Sequence, residues 1–249
     1  MKISEFIEES MLDYPGKLSA VLFTPYCNYK CPACHAKQII SGEKDYSETK
    51  ILKYLDSKKK WIDGVVLCGG EPTLQLDLHE FLKKIKGRGL AVKLDTNGSN
   101  PKMLSSLMKE NLLDYIAMDI KGPPSLYYDI VGKLNSLVSH VEKSIEIVQK
   151  APDYEFRTTV APIIKKNGKM EWMTKDEARE MTKWVYKNIW SCPGKWYIQK
   201  FVARSKDEML DEMFCKENLT AEMHETPHAV LEMVKNEVGE YFSRAKIRE

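Results

Sequence analysis

Short apolar runs separated by longer amphipathic stretches organise this chain. SAVLFT at 19–24, GVVLC at 64–68, LAVKLD at 90–95, YIAMDI at 115–120, YEFRTTV at 154–160 and KWYIQKF at 195–201 read as strands. Between them, 47–60, 76–87, 101–112, 134–150 and 174–190 carry helical spacing, and 227–242 reads as a further helix. Ser47 stands ahead of Lys50 and Ile51 at the start of the first helix, and Pro101 opens another behind Asn100 as its cap. Strands nearly continuous in hydrophobicity and separated by helices predict parallel pairing with both faces covered. The expected fold is therefore α/β, a β/α barrel either complete or partial. The stretches 121–133 and 161–173 fit neither period and read as irregular excursions.

No repeat, low-complexity tract or Pro/Gly/Ser linker divides the 249 residues, so one domain is expected. Its barrel core would span about 17–205, followed by a helical extension over about 206–249. Lys+Arg 38 against Asp+Glu 36 leaves a formal charge of +2, which gives no electrostatic case for a nucleic-acid or membrane surface. The segment MKISEFIEESMLDYPGK is acidic where a signal peptide is basic and then apolar, and no run of about 18 apolar residues occurs. A cytoplasmic protein is expected. In a reducing compartment clustered cysteines are metal ligands more often than disulfide partners, whereas Cys68, Cys192 and Cys215 are scattered and read as ordinary buried thiols.

The unusual residues fall at the ends of predicted strands. Cys27, Cys31 and Cys34 follow the first, Gly69-Gly70-Glu71-Pro72 the second, Asp95-Thr96-Asn97-Gly98 the third, and Asp119 and Lys121 the fourth. In a parallel barrel these ends share one rim, where active sites are built. The cysteines lie in TPYCNYKCPACHA, whose C-x3-C-x2-C spacing is tight enough for one loop to wrap a compact inorganic core. Soft thiolates suit iron–sulfur or zinc. Three cysteines on a [4Fe–4S] cube leave one iron without a protein ligand. A zinc site would need a fourth ligand such as His35 or Cys68. In CGGEPT the two glycines let another group approach the backbone, and Glu71 can accept from a cationic amine; the plainer alternative is a tight turn with a solvated glutamate.

Together, DYPGKLSAVLFTPYCNYKCPACH, VVLCGGEPTLQ, KLDTNG and AMDIKG resemble successive blocks of the radical S-adenosylmethionine (SAM) enzymes that activate glycyl radical enzymes, most of all the activating proteins of anaerobic ribonucleoside-triphosphate reductase. The resemblance implies a partial (β/α)6 barrel of the radical SAM type. It implies a [4Fe–4S] cluster on Cys27, Cys31 and Cys34, with Gly69, Gly70 and Glu71 around the amino group of SAM and Lys121 on its carboxylate. Asp95 and Thr96, with Ala117 and Asp119, would surround the ribose and a monovalent cation. Arg157 and Gln199 would also face the cofactor, although Arg157 reads equally as a salt bridge holding the rim. The sequence departs from the family pattern at Ala33, where an aromatic residue is usual, and at Ala36, where CHA replaces CHN. A backbone carbonyl at residue 33 could still receive the adenine amine, and His35 reads as a loop residue.

The implied activity is reductive cleavage of SAM by an electron from a low-potential donor such as flavodoxin or ferredoxin. Hydrogen would then be abstracted from a backbone glycine Cα of a partner enzyme. The Asp13-Tyr14-Pro15-Gly16 segment would contact that partner, or be a plain turn. One alternative is a radical SAM enzyme acting on a small molecule or RNA, although such enzymes often carry additional cysteine sets. The other is a non-catalytic zinc or iron–sulfur module, for which the GGEP turn and Lys121 would be coincidental.

Overall fold

A computed structural model of the chain describes residues 1–132, 137–190 and 193–248. Its first half runs β1 (Glu5–Ser10), β2 (Ser19–Thr24), α1 (Lys37–Ser41), α2 (Glu48–Ser57), β3 (Gly64–Gly69), α3 (Leu78–Lys86), β4 (Ala91–Thr96), α4 (Pro101–Lys109) and β5 (Tyr115–Asp119). There follow α5 (Tyr127–Val131), α6 (Leu137–Val148), β6 (Asp153–Val160), β7 (Ile163–Ile164), β8 (Met170–Glu171), α7 (Lys175–Lys187), β9 (Lys195–Lys200), α8 (His228–Gly239) and β10 (Ala245–Arg248). One eight-stranded sheet has the order β1-β2-β3-β4-β5-β6-β9-β10. All its ladders are parallel except β1 on β2. Among the described residues no ladder joins β1 to β10, so the barrel is partial.

The six expected strands are the central run β2-β3-β4-β5-β6-β9. Alternate residues on them take opposite faces. Ala20, Leu22, Val65, Leu67, Val92, Leu94, Ile116, Met118, Phe156, Trp196 and Ile198 are buried in one large core with the helices. The helices meet this face at their own period: Leu78, Phe81, Leu82 and Ile85 are the buried residues of α3, at i, i+3, i+4 and i+7. Each such side chain removed from water contributes about 1.5–3 kcal/mol. Asn100 caps α4 by accepting from the Met103 N–H, and Thr174 with Glu177 forms a capping box on α7.

The other face carries both apolar and charged side chains. Over β2 and β3 it is apolar, with Val21 and Val66 packed with Tyr14, Tyr115 and Ala117. Farther along it carries Lys93, Asp95, Asp119, Glu155 and Arg157, made tolerable by mutual pairing. Fully buried Glu155 accepts from Tyr115 Oη at 2.6 Å and from Arg248 at 3.0 and 3.1 Å.

Three further departures concern the chain outside the central run. The extension is not wholly helical, because α8 leads into β10, which lengthens the sheet beside β9. Tyr14 packs against Tyr115, the first residue of β5, at 5.8 Å, and lies where a Cβ on Gly64, the first residue of β3, would meet its ring at 3.1 Å. The Asp13–Gly16 segment, expected to contact a partner, thus packs at the N-terminal ends of β3 and β5. The stretches 121–133 and 161–173 hold α5 and the β7–β8 hairpin. The expected helix at 134–150 is described from Leu137 onward, and Cys192 lies outside the described residues. No described helix is long and apolar enough to cross a membrane.

Candidate active site

The C-terminal ends of β2 to β6 open into a cavity of about 290 Å³. The cysteine loop after β2 forms one wall. Cys27, Cys31 and Cys34 all line the cavity as free thiols, each partly exposed. The loop is braced from several sides. Tyr29 N–H donates to Cys27 Sγ at 3.4 Å, Lys30 N–H to the Val131 carbonyl at 2.9 Å, and Leu210 N–H to the Cys34 carbonyl at 2.7 Å. The region after β9, including Phe214 on the cavity wall, therefore holds the loop's far end.

Gly69 and Gly70 line the cavity beside this loop. Their first service is to the chain itself. Gly69 has φ +109°, and a Cβ there would stand 2.6 Å from both Thr24 N and O; a Cβ on Gly70 would stand 1.9 Å from Tyr26 O. This closeness lets Gly70 N–H donate to Thr24 O and Glu71 N–H to Tyr26 O, each at 2.8 Å. The end of β3 and the cysteine loop are thus sewn together.

Glu71, expected to meet an amine, turns its carboxylate toward the neighbouring strand ends. It is fully buried and does not line the cavity. It accepts from Thr73 N–H at 3.1 Å, Thr73 Oγ1 at 2.6 Å, Thr96 Oγ1 at 2.8 Å and Asn97 N–H at 2.7 Å. Three of these bonds fall on Oε1 and one, from Asn97, on Oε2. Burial raises its pKa, with the four hydrogen bonds acting in the opposite direction. The residue ties the ends of β3 and β4 together.

Asp95, Thr96, Asp119, Lys121 and Arg157 do line the cavity. Asp119 and Arg157 are register partners on β5 and β6, and the guanidinium reaches on to Asp95 on β4. Arg157 Nε donates to Asp119 Oδ1 at 2.9 Å and Nη1 to Asp95 Oδ2 at 2.6 Å; Lys121 Nζ donates to Asp119 Oδ2 at 2.8 Å, and Lys93 to Asp95 Oδ1. Burial alone would raise the Asp119 pKa, but Arg157 and Lys121 hold it down at about 2. The Asp95 carboxyl is likewise held below its ordinary range, the charges of Arg157 and Lys93 outweighing burial. Lys121 is held protonated, the charge of Asp119 outweighing desolvation.

Two further expected residues lie off the cavity lining. Gln199 Oε1 stands 3.5 Å from Thr159 Oγ1, and Thr159 is the one on the wall. Ala117 is buried in the apolar cluster beneath. Conversely, Cys68 is a wall residue rather than an ordinary buried thiol, whereas Cys215 is fully buried near Phe201 and Met209. Sequence reasoning missed the apolar wall made by Ile130, Ile163, Ile164, Met173 and Phe214. The signal was apolar residues inside stretches that otherwise read as loops.

The donor set fits a cubane cluster. Three thiols from one loop face one cavity, and Lys121 sets a positive charge beside them. Each thiolate of a cube binds a different iron and stands farther from its fellows than ligands of one ion do. Among the described residues, no three His, Cys, Asp or Glu side chains gather closely enough to hold a single ion. Burial pushes the Cys31 thiol up to about 12 in the metal-free chain, so thiolate formation there is coupled to metal binding.

The family model described as the radical SAM superfamily matches residues 21–181, and the chain belongs to that superfamily. A [4Fe–4S] cluster and SAM are the cofactors this membership implies. The "putative glycyl-radical enzyme activating enzyme MJ1227" of Methanocaldococcus jannaschii is 35% identical over 166 residues, which is 64% of this chain and 68% of the relative. A "probable GTP 3',8-cyclase" of Thermococcus kodakarensis is 30% identical over 142 residues, 54% of this chain and 43% of the relative. Among solved structures, Streptococcus suis SuiB superposes with a TM-score of 0.61 at 13% identity, covering 92% of this chain and 49% of SuiB. TYW1 with a lysine-pyruvate adduct bound gives 0.57 at 12% identity, covering 90% and 74%. At these identities the two structures speak to fold alone.

Proposed function

We propose that this radical SAM enzyme activates a glycyl radical enzyme, generating the radical on a backbone glycine of anaerobic ribonucleoside-triphosphate reductase. The observation that carries the reading is the convergence of three thiols, a glycine pair and Lys121 on one cavity at the rim of a barrel that stays open. The similarity to the Methanocaldococcus protein supports it. Cys27, Cys31 and Cys34 would hold three irons of a [4Fe–4S] cluster. That cluster, when bound, supplies the electron for reductive cleavage of SAM, and a cytoplasmic donor such as flavodoxin or ferredoxin would supply it in turn.

The chain's own residues position and insulate. Lys121, kept charged by Asp119, is available to a carboxylate. Gly69 and Gly70 line the cavity beside the thiols, where the amine of SAM would lie. Ile130, Ile163 and Met173 give the cavity an apolar wall, which suits chemistry that water would quench. Neither a nucleic acid nor a membrane is needed by this reading.

The test is anaerobic electron paramagnetic resonance after mixing the reconstituted protein, reductant and SAM with the reductase. A glycyl radical doublet on the reductase is expected. Cleavage of SAM with no radical on the reductase or any related glycyl radical enzyme would sink it. The similarity to GTP 3',8-cyclases favours a second reading, a radical SAM enzyme acting on a nucleotide, but this chain spans only 43% of that relative. GTP consumption in the same assay would support it.

A further inference from the structure

The rim carries a row of alternating charge, Lys93–Asp95–Arg157–Asp119–Lys121, drawn from β4, β5, β6 and the turn after β5. A monovalent cation was expected near Asp95, Thr96, Ala117 and Asp119, and the geometry of the two aspartates does not fit one. Asp95 Oδ1 receives Lys93 and Oδ2 receives Arg157 Nη1; Asp119 Oδ1 receives Arg157 Nε and Oδ2 receives Lys121. All four carboxylate oxygens already face a charged nitrogen. The row holds three cations against two carboxylates, so an added metal cation would enter a field already in excess positive charge. Desolvation sharpens the conflict, because Arg157 is 14% exposed and Asp95 15%.

We infer that Arg157 is a built-in counter-cation, holding Asp95 and Asp119 in place of an alkali metal ion, so that SAM binding and cleavage here need no monovalent cation. A guanidinium suits this work. It stays charged at any working pH, and its planar fork spans two acceptors that a single ion would have to coordinate together. The arrangement also leaves Lys121 anchored by Asp119 at one end with its charge facing the cavity. Arg157 is on this inference a positioning residue, acting on the cofactor through Asp119 and Lys121.

The inference rests on the proposed SAM site, and two separate readouts keep the failures apart. SAM cleavage by the reconstituted full-length protein is followed in tetramethylammonium, sodium and potassium salts at matched ionic strength, with photoreduced deazaflavin as an electron source free of alkali metal. Thallium(I), a potassium mimic, is titrated into the same protein and followed by NMR of the thallium nucleus. The wild type should cleave at rates equal within about twofold in the three salts and show no saturable thallium binding. Arg157→Ala should lose about tenfold in tetramethylammonium, recover part of that in potassium, and bind thallium saturably.

A wild type that slows about tenfold without potassium, or that binds thallium saturably, overturns the inference. Absence of cleavage in every salt would count against the SAM reading, and the thallium titration would still decide on the cation. Should Arg157→Ala fail to fold, the two wild-type measurements stand alone.

Discussion

The side-chain carboxamide of Asn97 donates to the sulfur of Cys27 at 3.7 Å. Asn97 is 5% exposed and held from three directions: its own N–H donates to Glu71 Oε2, its Nδ2 also reaches Asn28 Oδ1 at 3.0 Å, and its Oδ1 accepts from Ser99 N–H. The buried Glu71 thus reaches the cysteine loop through Asn97. Hydrogen bonds to cluster sulfurs raise the reduction potential by stabilising added negative charge. Asn97→Ala should therefore lower the potential of the bound cluster. Redox titration monitored by electron paramagnetic resonance checks it, with iron content confirming that the cluster is retained.

Gly70→Ala tests the seam between β3 and the cysteine loop. The new methyl would stand 1.9 Å from the Tyr26 carbonyl oxygen, so backbone must shift. A loss of stability on the order of 2–3 kcal/mol is expected by urea denaturation. The variant should also take up less iron on reconstitution.

The charged row predicts an acid limb of stability. Asp119 has its pKa lowered from 3.8 to about 2 in the folded chain. A depressed carboxyl contributes stability that is present above its unfolded pKa and lost as pH falls through the folded one. Stability of the metal-free protein should therefore fall between about pH 4 and pH 2, Asp119 accounting for about 2 kcal/mol of it. In Asp119→Asn that part of the slope should be missing, as read from urea midpoints across the range.

Cys31→Ala removes one of three thiols and leaves two iron positions without a protein ligand. Iron and labile sulfide retained after gel filtration should drop to near background, and SAM cleavage should vanish. Retention of a full cluster by this variant would be at odds with the ligand set.

Much of the fold is legible in the sequence because the six central strands are short apolar runs whose helix-facing residues alone satisfy the pattern. β1 escapes because EFIEES is half-exposed and polar, its glutamates Glu5 and Glu9 meeting Lys44 and Lys58. β10 escapes because AKIR is short and basic, and it is placed by Arg248 reaching Glu155 on β6. The cysteines were legible from spacing, and the strand ends from punctuation by glycine and aspartate. Glu71 shows where that stops, since sequence marks it as an acid at a strand end but not that its carboxylate turns inward to Thr73, Thr96 and Asn97. Partnership between distant residues, such as Arg157 with Asp95, is set by strand order, which no local pattern states.

The central claim is that the cavity bounded by Cys27, Cys31 and Cys34 couples an iron–sulfur cluster to SAM. It is tested most directly by chromatographic measurement of 5'-deoxyadenosine after the anaerobically reconstituted protein is reduced in the presence of SAM. Formation of 5'-deoxyadenosine together with methionine, dependent on bound iron, is predicted. An iron-loaded, fully reduced sample that leaves SAM intact would contradict the claim.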